Sequence, residues 1–119
     1  MAYFSEKANH DWGLSSDKYI AIGGRTDANH YTEGATTIDF TMNKVYEGYN
    51  KTVYYTLSTE WDNGSIWESV DLRSGYFNSN VTKVIPLAGK PAGNYRMHAY
   101  IDYGEGHYEN ITPQFRVDR

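Results

Sequence analysis

Four histidines, His10, His30, His98 and His107, are the side chains best suited to proton transfer near neutral pH. None forms an H-x-x-x-H pair of the kind that grips a metal from one helix face. His98 and Asp102 alternate along one strand face with Tyr100 between them, a spacing that allows a loose acid–base pair. Groups on a solvated sheet have a simpler use as surface residues, and we take that reading. No Gly-x-Ser-x-Gly elbow or phosphate loop occurs, and Gly23-Gly24 and Gly104-Glu105-Gly106 read as turns. The absence of cysteine excludes a thiolate zinc site, a disulfide framework, a thiol nucleophile and a redox motif. Asp62-Asn63-Gly64-Ser65 has part of a calcium loop but not its remaining ligands, and a turn explains it. Asp27, Asn29 and Glu33 form only a weak oxygen set. We therefore expect no catalytic centre, no metal and no cofactor.

The elements that position these residues are strands. Alternation is clean over Ala35–Asn43, where Ile38, Phe40 and Met42 share a face, and over Thr52–Asp62, with Val53, Tyr55, Leu57, Thr59 and Trp61. Lys18–Ile22, Ser65–Arg73, Asn80–Leu87, Asn94–Tyr103 and Tyr108–Val117 are the other strands, and 24–34 is a long loop. No window carries a helical stripe. The 119 residues fit one domain, a loose lead-in over 1–16 followed by a single unit over 17–119. The net charge of −4 disfavours a nucleic-acid surface, and no apolar run reaches the ~20 residues of a membrane span.

Seven to eight strands with no helix predict an all-β antiparallel sandwich, with a small closed barrel as competitor. Gly93-Asn94-Tyr95 entering a long late strand resembles the tyrosine corner of immunoglobulin-like and fibronectin-type domains, in which the Tyr hydroxyl anchors the preceding loop. The resemblance covers roughly residues 35–118 and implies an architecture, not an activity. The thiol-free, Tyr-rich composition is also similar to small exported proteins of Gram-positive bacteria. The expected core is Ile38, Phe40, Val53, Tyr55, Leu57, Trp61, Ile66, Val70, Val84 or Ile85, Tyr95, Met97, Ala99, Ile101, Phe115 and Val117.

Two hairpins can be registered, because a one-residue slip exchanges their faces. A two-residue Asn63-Gly64 turn pairs Trp61 with Ile66, Leu57 with Val70 and Tyr55 with Leu72 on the core side. Glu60 then faces Trp67, Ser58 faces Ser69, Thr56 faces Asp71 and Tyr54 faces Arg73 on the outer side. A turn at 104–106 pairs Ala99 with Ile111, Met97 with Pro113 and Tyr95 with Phe115. It leaves Asp102 opposite Tyr108, Tyr100 opposite Asn110 and His98 opposite Thr112 outside. Pro113 lacks the N–H of a regular strand residue and predicts an edge or a bulge. If both hairpins share a sheet, its outer face shows Tyr54, Glu60, Trp67, His98, Tyr100, Asp102 and Tyr108.

Aromatic rings among carboxylates and hydroxyls suit recognition, with Trp67 the expected anchor. The same rings could serve the sheet alone, at ~0.2–1 kcal/mol per cross-strand pair. We expect a non-catalytic extracellular binding module for a protein or cell-surface partner, with no nucleic-acid partner and no membrane insertion. A carbohydrate-binding module is the alternative, and a secreted toxin or bacteriocin a third class. The first residues lack a basic region followed by an apolar stretch, which leaves a cytoplasmic protein or a secreted one whose leader has been removed; the thiol-free, Tyr-, Asn- and Thr-rich strands favour the second, and we expect a secreted bacterial protein. Four Asn-x-Ser/Thr sequons, at Asn50, Asn63, Asn80 and Asn110, keep a glycosylated form in view.

Overall fold

A computed structural model of the chain describes residues 2–8, 20–44, 52–102 and 107–119, with backbone alone for residues 3, 5–8, 20, 21 and 108. It is an all-β sandwich, and the described residues contain no helix. The strands are β1 (Tyr3–Ala8), β2 (Ile20–Thr26), β3 (His30–Tyr31), β4 (Thr37–Lys44), β5 (Val53–Asp62), β6 (Trp67–Phe77), β7 (Asn80–Pro86), β8 (Gly93–Asp102), β9 (His107–Ile111) and β10 (Phe115–Val117). One sheet has the order β1-β2-β4-β7; the other runs β3-β10-β8-β5-β6, with β9 also on β8. Pairing is antiparallel except between β10 and the short β3. Both hairpins therefore lie in one sheet.

Alternation decides which side chains meet between the sheets. Ile38, Phe40, Met42 and Ile85 from one sheet are buried with Val53, Leu57, Met97 and Ile101 from the other. Ile85, not Val84, is the inward residue of β7. Trp61 and Val70 are half-buried against the core rather than within it. Ile66 leaves the expected core altogether: it sits in the turn before β6 and is 64% exposed.

The segment expected to be a lead-in contains β1, which pairs with β2 from Tyr3↔Arg25 to Ala8↔Ile20. Phe4 buries its ring against Phe40, 5.9 Å between centroids. The backbone of Gly24 makes the room. A Cβ there would stand 2.6 Å from the Phe4 ring and 2.7 Å from the Phe40 ring. The glycine pair read as a strand end thus lies inside β2, where the missing side chain admits two aromatic rings.

The corner before β8 has the expected geometry. Tyr95 is fully buried, and its hydroxyl donates to the Pro91 carbonyl at 2.5 Å. At the outer edge of its sheet, β6 turns charge inward. Arg73 Nε donates to Asp71 Oδ1 at 2.8 Å, and Lys90 Nζ lies 3.8 Å from Asp71 Oδ2. Both Asp71 and Arg73 stand on the core side of the strand, opposite Thr59 and Leu57.

Both hairpin registers differ from expectation, each for a local reason. Asn63 Oδ1 accepts from the N–H groups of Ser65 and Ile66, both at 2.9 Å, and Asp62 Oδ1 accepts from Gly64. These side-chain bonds wrap a four-residue loop, so Asp62 pairs with Trp67 instead of Ser65. The two-residue shift preserves the faces. A bulge between Thr59 and Glu60 then adds one more residue, and past it Ser58 meets Leu72 and Tyr54 meets Tyr76. In the second hairpin Tyr95 meets Phe115 as expected, but Pro113 interrupts the ladder between β9 and β10. Thr112 supplies both missing bonds: its N–H donates to Met97 O and its hydroxyl accepts from Met97 N–H, each at 2.9 Å. Beyond it β9 is displaced by one residue, so His98 meets Ile111, Tyr100 meets Glu109 and Ile101 meets Tyr108. The 103–106 turn lies outside the described residues.

Two stability predictions follow from this packing. Gly24→Ala forces a methyl group into the Phe4–Phe40 contact and should cost ~1–3 kcal/mol in urea unfolding. Gly34→Ala, with no atom within 4 Å of the added carbon, should change it by less than ~0.5 kcal/mol. For Tyr95, burial pushes the phenol up to about 12, against ~10 in an unfolded chain. Its contribution is complete below pH ~10 and is lost as pH rises toward the folded value, because only the unfolded chain ionises there. Tyr95→Phe should lose ~1 kcal/mol at neutral pH with the Pro91 bond, yet show a shallower alkaline decline in a pH series of melts.

Candidate functional site

The outward face of the six-stranded sheet is built on the pairing of β5 with β8. It sets Tyr54 opposite Asp102, Thr56 opposite Tyr100, Ser58 opposite His98 and Glu60 opposite Arg96. Flanking β6 adds Leu72, Ser74 and Tyr76 in the rows of Ser58, Thr56 and Tyr54. On the other flank β9 adds His107, Glu109 and Ile111 in the rows of Asp102, Tyr100 and His98. The two halves of this face differ in chemistry.

One half is a largely buried polar network. The Glu60 carboxylate, only 8% exposed as a residue, accepts from Arg96 Nε at 2.7 Å. Its second oxygen lies 3.1 Å from His98 Nδ1. The Arg96 guanidinium carbon sits 4.3 Å over the Trp67 ring, a cation–π contact that covers part of the indole. The His98 ring stacks on Tyr100, with centroids 4.3 Å apart and planes 20° apart. His98 Nε2 is 3.2 Å from Glu109 Oε2, but off the hydrogen-bonding direction, and it has no hydrogen-bond partner among the described residues. Burial, followed by the charges of Glu60 and Glu109, holds the Tyr100 phenol above its ordinary range, with Arg96 opposing them.

The other half is open. Tyr54, Tyr76 and Tyr100 are 54%, 64% and 43% exposed. They line a groove of roughly 780 Å³ with Thr56, Ser74, Asp102, His107 and Glu109. Gly75 lies in its wall, and a Cβ there would stand 2.7 Å from the Tyr55 hydroxyl. The Tyr54 and Tyr76 rings are 6.0 Å apart and inclined at 50°. Leu72 and Ile111 extend the apolar surface beyond the groove.

The expected site residues divide between these halves. Tyr54, Tyr100 and Asp102 line the groove. Glu60 and His98 point to the outer side but are buried in the network, so they are supports rather than contact groups. Trp67 faces outward opposite Asp62, half-buried beneath Arg96. Tyr108 pairs with Ile101 instead of Asp102, and its side chain lies outside the described residues. His98 and Asp102 do not form the loose pair that their spacing allowed. His98 lies between Glu60 and Glu109, while Asp102 sits two rows away opposite Tyr54.

Tyr76, Leu72, Ile111 and Glu109 are the surface residues that sequence reasoning missed. The alternation Leu72, Ser74, Tyr76 is the available signal, hidden because the sequence pattern ends the strand at Arg73, before Gly75. Among the described residues no three His, Asp or Glu side chains converge as a metal site. Asp27 accepts from the Tyr31 hydroxyl and the Asp39 N–H. Compared with protein-family models and with curated proteins, the chain matches none.

The network makes a specific demand on Glu60. Glu60→Gln removes the charge that compensates Arg96 and should cost ~2 kcal/mol in urea unfolding, since these groups are largely buried. Trp67 emission should shift to the red in the folded variant as the guanidinium loses its anchor.

Proposed function

We propose that the chain is a non-catalytic extracellular binding module whose protein partner docks on the outer face of the six-stranded sheet. The observation that carries this reading is the placement of exposed apolar side chains. Of the seven large ones among the described residues, Tyr54, Leu72, Tyr76, Tyr100 and Ile111 stand on that one face. Isolated exposed apolar residues need no explanation, but a concentrated set marks an interaction surface. The composition, rings mixed with carboxylates and hydroxyls, is that of an interface centre with a polar surround. The Glu60–Arg96–His98 network stiffens β5 and β8 beneath it, which lowers the ordering cost of docking.

An immunoglobulin-like connectivity belongs to the same proposal. It is supported by the Tyr95–Pro91 bond and by the sharing of one sheet by the two hairpins. An exported, thiol-free chain suits such a module. A carbohydrate ligand is the second reading, favoured by the groove, where tyrosines stand with Asp102 and Glu109. Against it, Tyr54 and Tyr76 are inclined at 50° and do not form a flat platform.

Arrays of purified extracellular proteins and of glycans, probed with the labelled domain, test the proposal. We expect a protein hit whose affinity falls at least ~30-fold in Leu72→Arg, a central-contact loss of ~2 kcal/mol. Val84→Ser, on the opposite sheet, should leave it unchanged. Binding indifferent to Leu72→Arg would overturn the docking face, and glycan binding alone would move the assignment to the second reading.

A further inference from the structure

Tyr54 on β5 and Tyr76 on β6 are direct cross-strand partners. Directly opposed residues hold their Cβ atoms ~4.5–5.5 Å apart, and here the two rings meet with centroids 6.0 Å apart. Both phenols are open to solvent, at 54% and 64% exposure. Among the described residues no other two tyrosine rings are in contact. The backbone beneath the pair is held from the inner side, where Tyr55 packs on Phe77 at 6.1 Å. It is also held at the strand end, where the Thr52 hydroxyl donates to Asn78 Oδ1 at 2.7 Å.

Two adjacent, accessible phenols suit oxidative coupling. Loss of one electron and one proton from each gives two phenoxyl radicals, whose unpaired spin reaches the carbons ortho to oxygen. Joining two such carbons forms one C–C bond. Each then releases its hydrogen as a proton and the oxygens are protonated again, so the net change is two C–H bonds broken and both hydroxyls regained. Hydrogen peroxide, activated by a haem peroxidase, takes the two electrons and two protons and becomes two waters.

Competing targets are shielded. The chain has no cysteine. Met42 and Met97 are fully buried, and so are the rings of Tyr31, Tyr55 and Tyr95. Trp61 and Trp67 are half-buried, the latter beneath Arg96. Tyr100 is accessible, but it stands one row away, opposite Thr56, with its ring stacked on His98.

We propose that Tyr54 and Tyr76 are an oxidative modification site, at which a peroxidase and peroxide form a dityrosine bond that staples β6 to β5. The staple closes the whole hairpin and holds a strand at the margin of its sheet among the described strands. A cross-link of this kind restricts the unfolded chain and so stabilises the fold.

The intact domain, dilute and treated with a haem peroxidase and equimolar hydrogen peroxide, tests the site. Coupling of free Nα-acetyl-tyrosinamide in a parallel reaction shows that the oxidant is active. We expect a monomer lighter by two hydrogen atoms, with dityrosine fluorescence and a higher urea midpoint than the untreated domain. Mass spectrometry of its digest should join the peptide containing Tyr54 to that containing Tyr76. Tyr54→Phe and Tyr76→Phe, which keep the rings, should each lower the dityrosine yield of the monomer at least ~10-fold, because the high effective concentration of the pair is lost. Absence of dityrosine, its confinement to dimers, a link to any other tyrosine, or an unchanged urea midpoint would overturn the staple. None of these outcomes bears on the docking face, which Leu72→Arg judges separately.

Discussion

The uninterrupted pairing of β5 with β8 is the constraint on which the rest of the structure depends. From Tyr54↔Asp102 to Trp61↔Tyr95 it runs without a slip. On the inner side it aligns Tyr55, Leu57 and Thr59 with Ile101, Ala99 and Met97, which are buried in the sandwich. On the outer side it brings Glu60 to Arg96 and Ser58 to His98. Irregularities are displaced to the flanking pairs, the Thr59/Glu60 bulge on β6 and the Thr112–Gln114 interruption beside β8. A slip in the central pair would exchange core and surface together. A slip in a flank rearranges only the residues of that flank.

That division explains what could be read from the amino-acid order. On β4, β5 and β8 the apolar residues alternate with polar ones, and burial follows the alternation at Ile38, Phe40, Val53, Leu57, Met97 and Ile101. The site residues on those central strands, Tyr54, Tyr100 and Asp102, are accordingly where their spacing puts them. The flanks obey side-chain chemistry that alternation does not express. Asn63 captures two backbone N–H groups and enlarges the loop, and Thr112 substitutes for a proline that cannot donate. The bulge at Thr59/Glu60 turns Leu72, and the one-residue displacement of β9 beyond Thr112 turns Ile111, from expected core pairs to exposed positions. Ala2 and Phe4 were missed for a different reason: their partners are the remote Thr26 and Phe40, and a segment this short has no period of its own.

The outer face also shows how a single surface can combine rigidity with open contact area. Buried charge is costly unless each group is compensated. Here Glu60 is shared by Arg96 and His98, and Trp67 and Tyr100 cover the flat sides of the guanidinium and the imidazole. Glu60 thus finds its partners in Arg96 and His98, and the neighbouring tyrosines have no hydroxyl–carboxylate bond to it to give up on meeting a ligand.

A molecule that displays Leu72 and Tyr76 on β6, the margin of its sheet among the described strands, runs the risk of adding strands from its neighbours. Asp71 and Arg73 alter that balance. Their side chains turn toward the sandwich at the sheet margin, with Lys90 close by. A neighbouring strand laid along β6 would carry its own side chains over these charges and strip them of water. Edge-to-edge growth of a sheet into an endless ribbon is thereby made unfavourable, while face-on contact is left unhindered. Whatever contacts the chain makes at high local density are steered to the faces of its sheets and away from an edge-to-edge fibre.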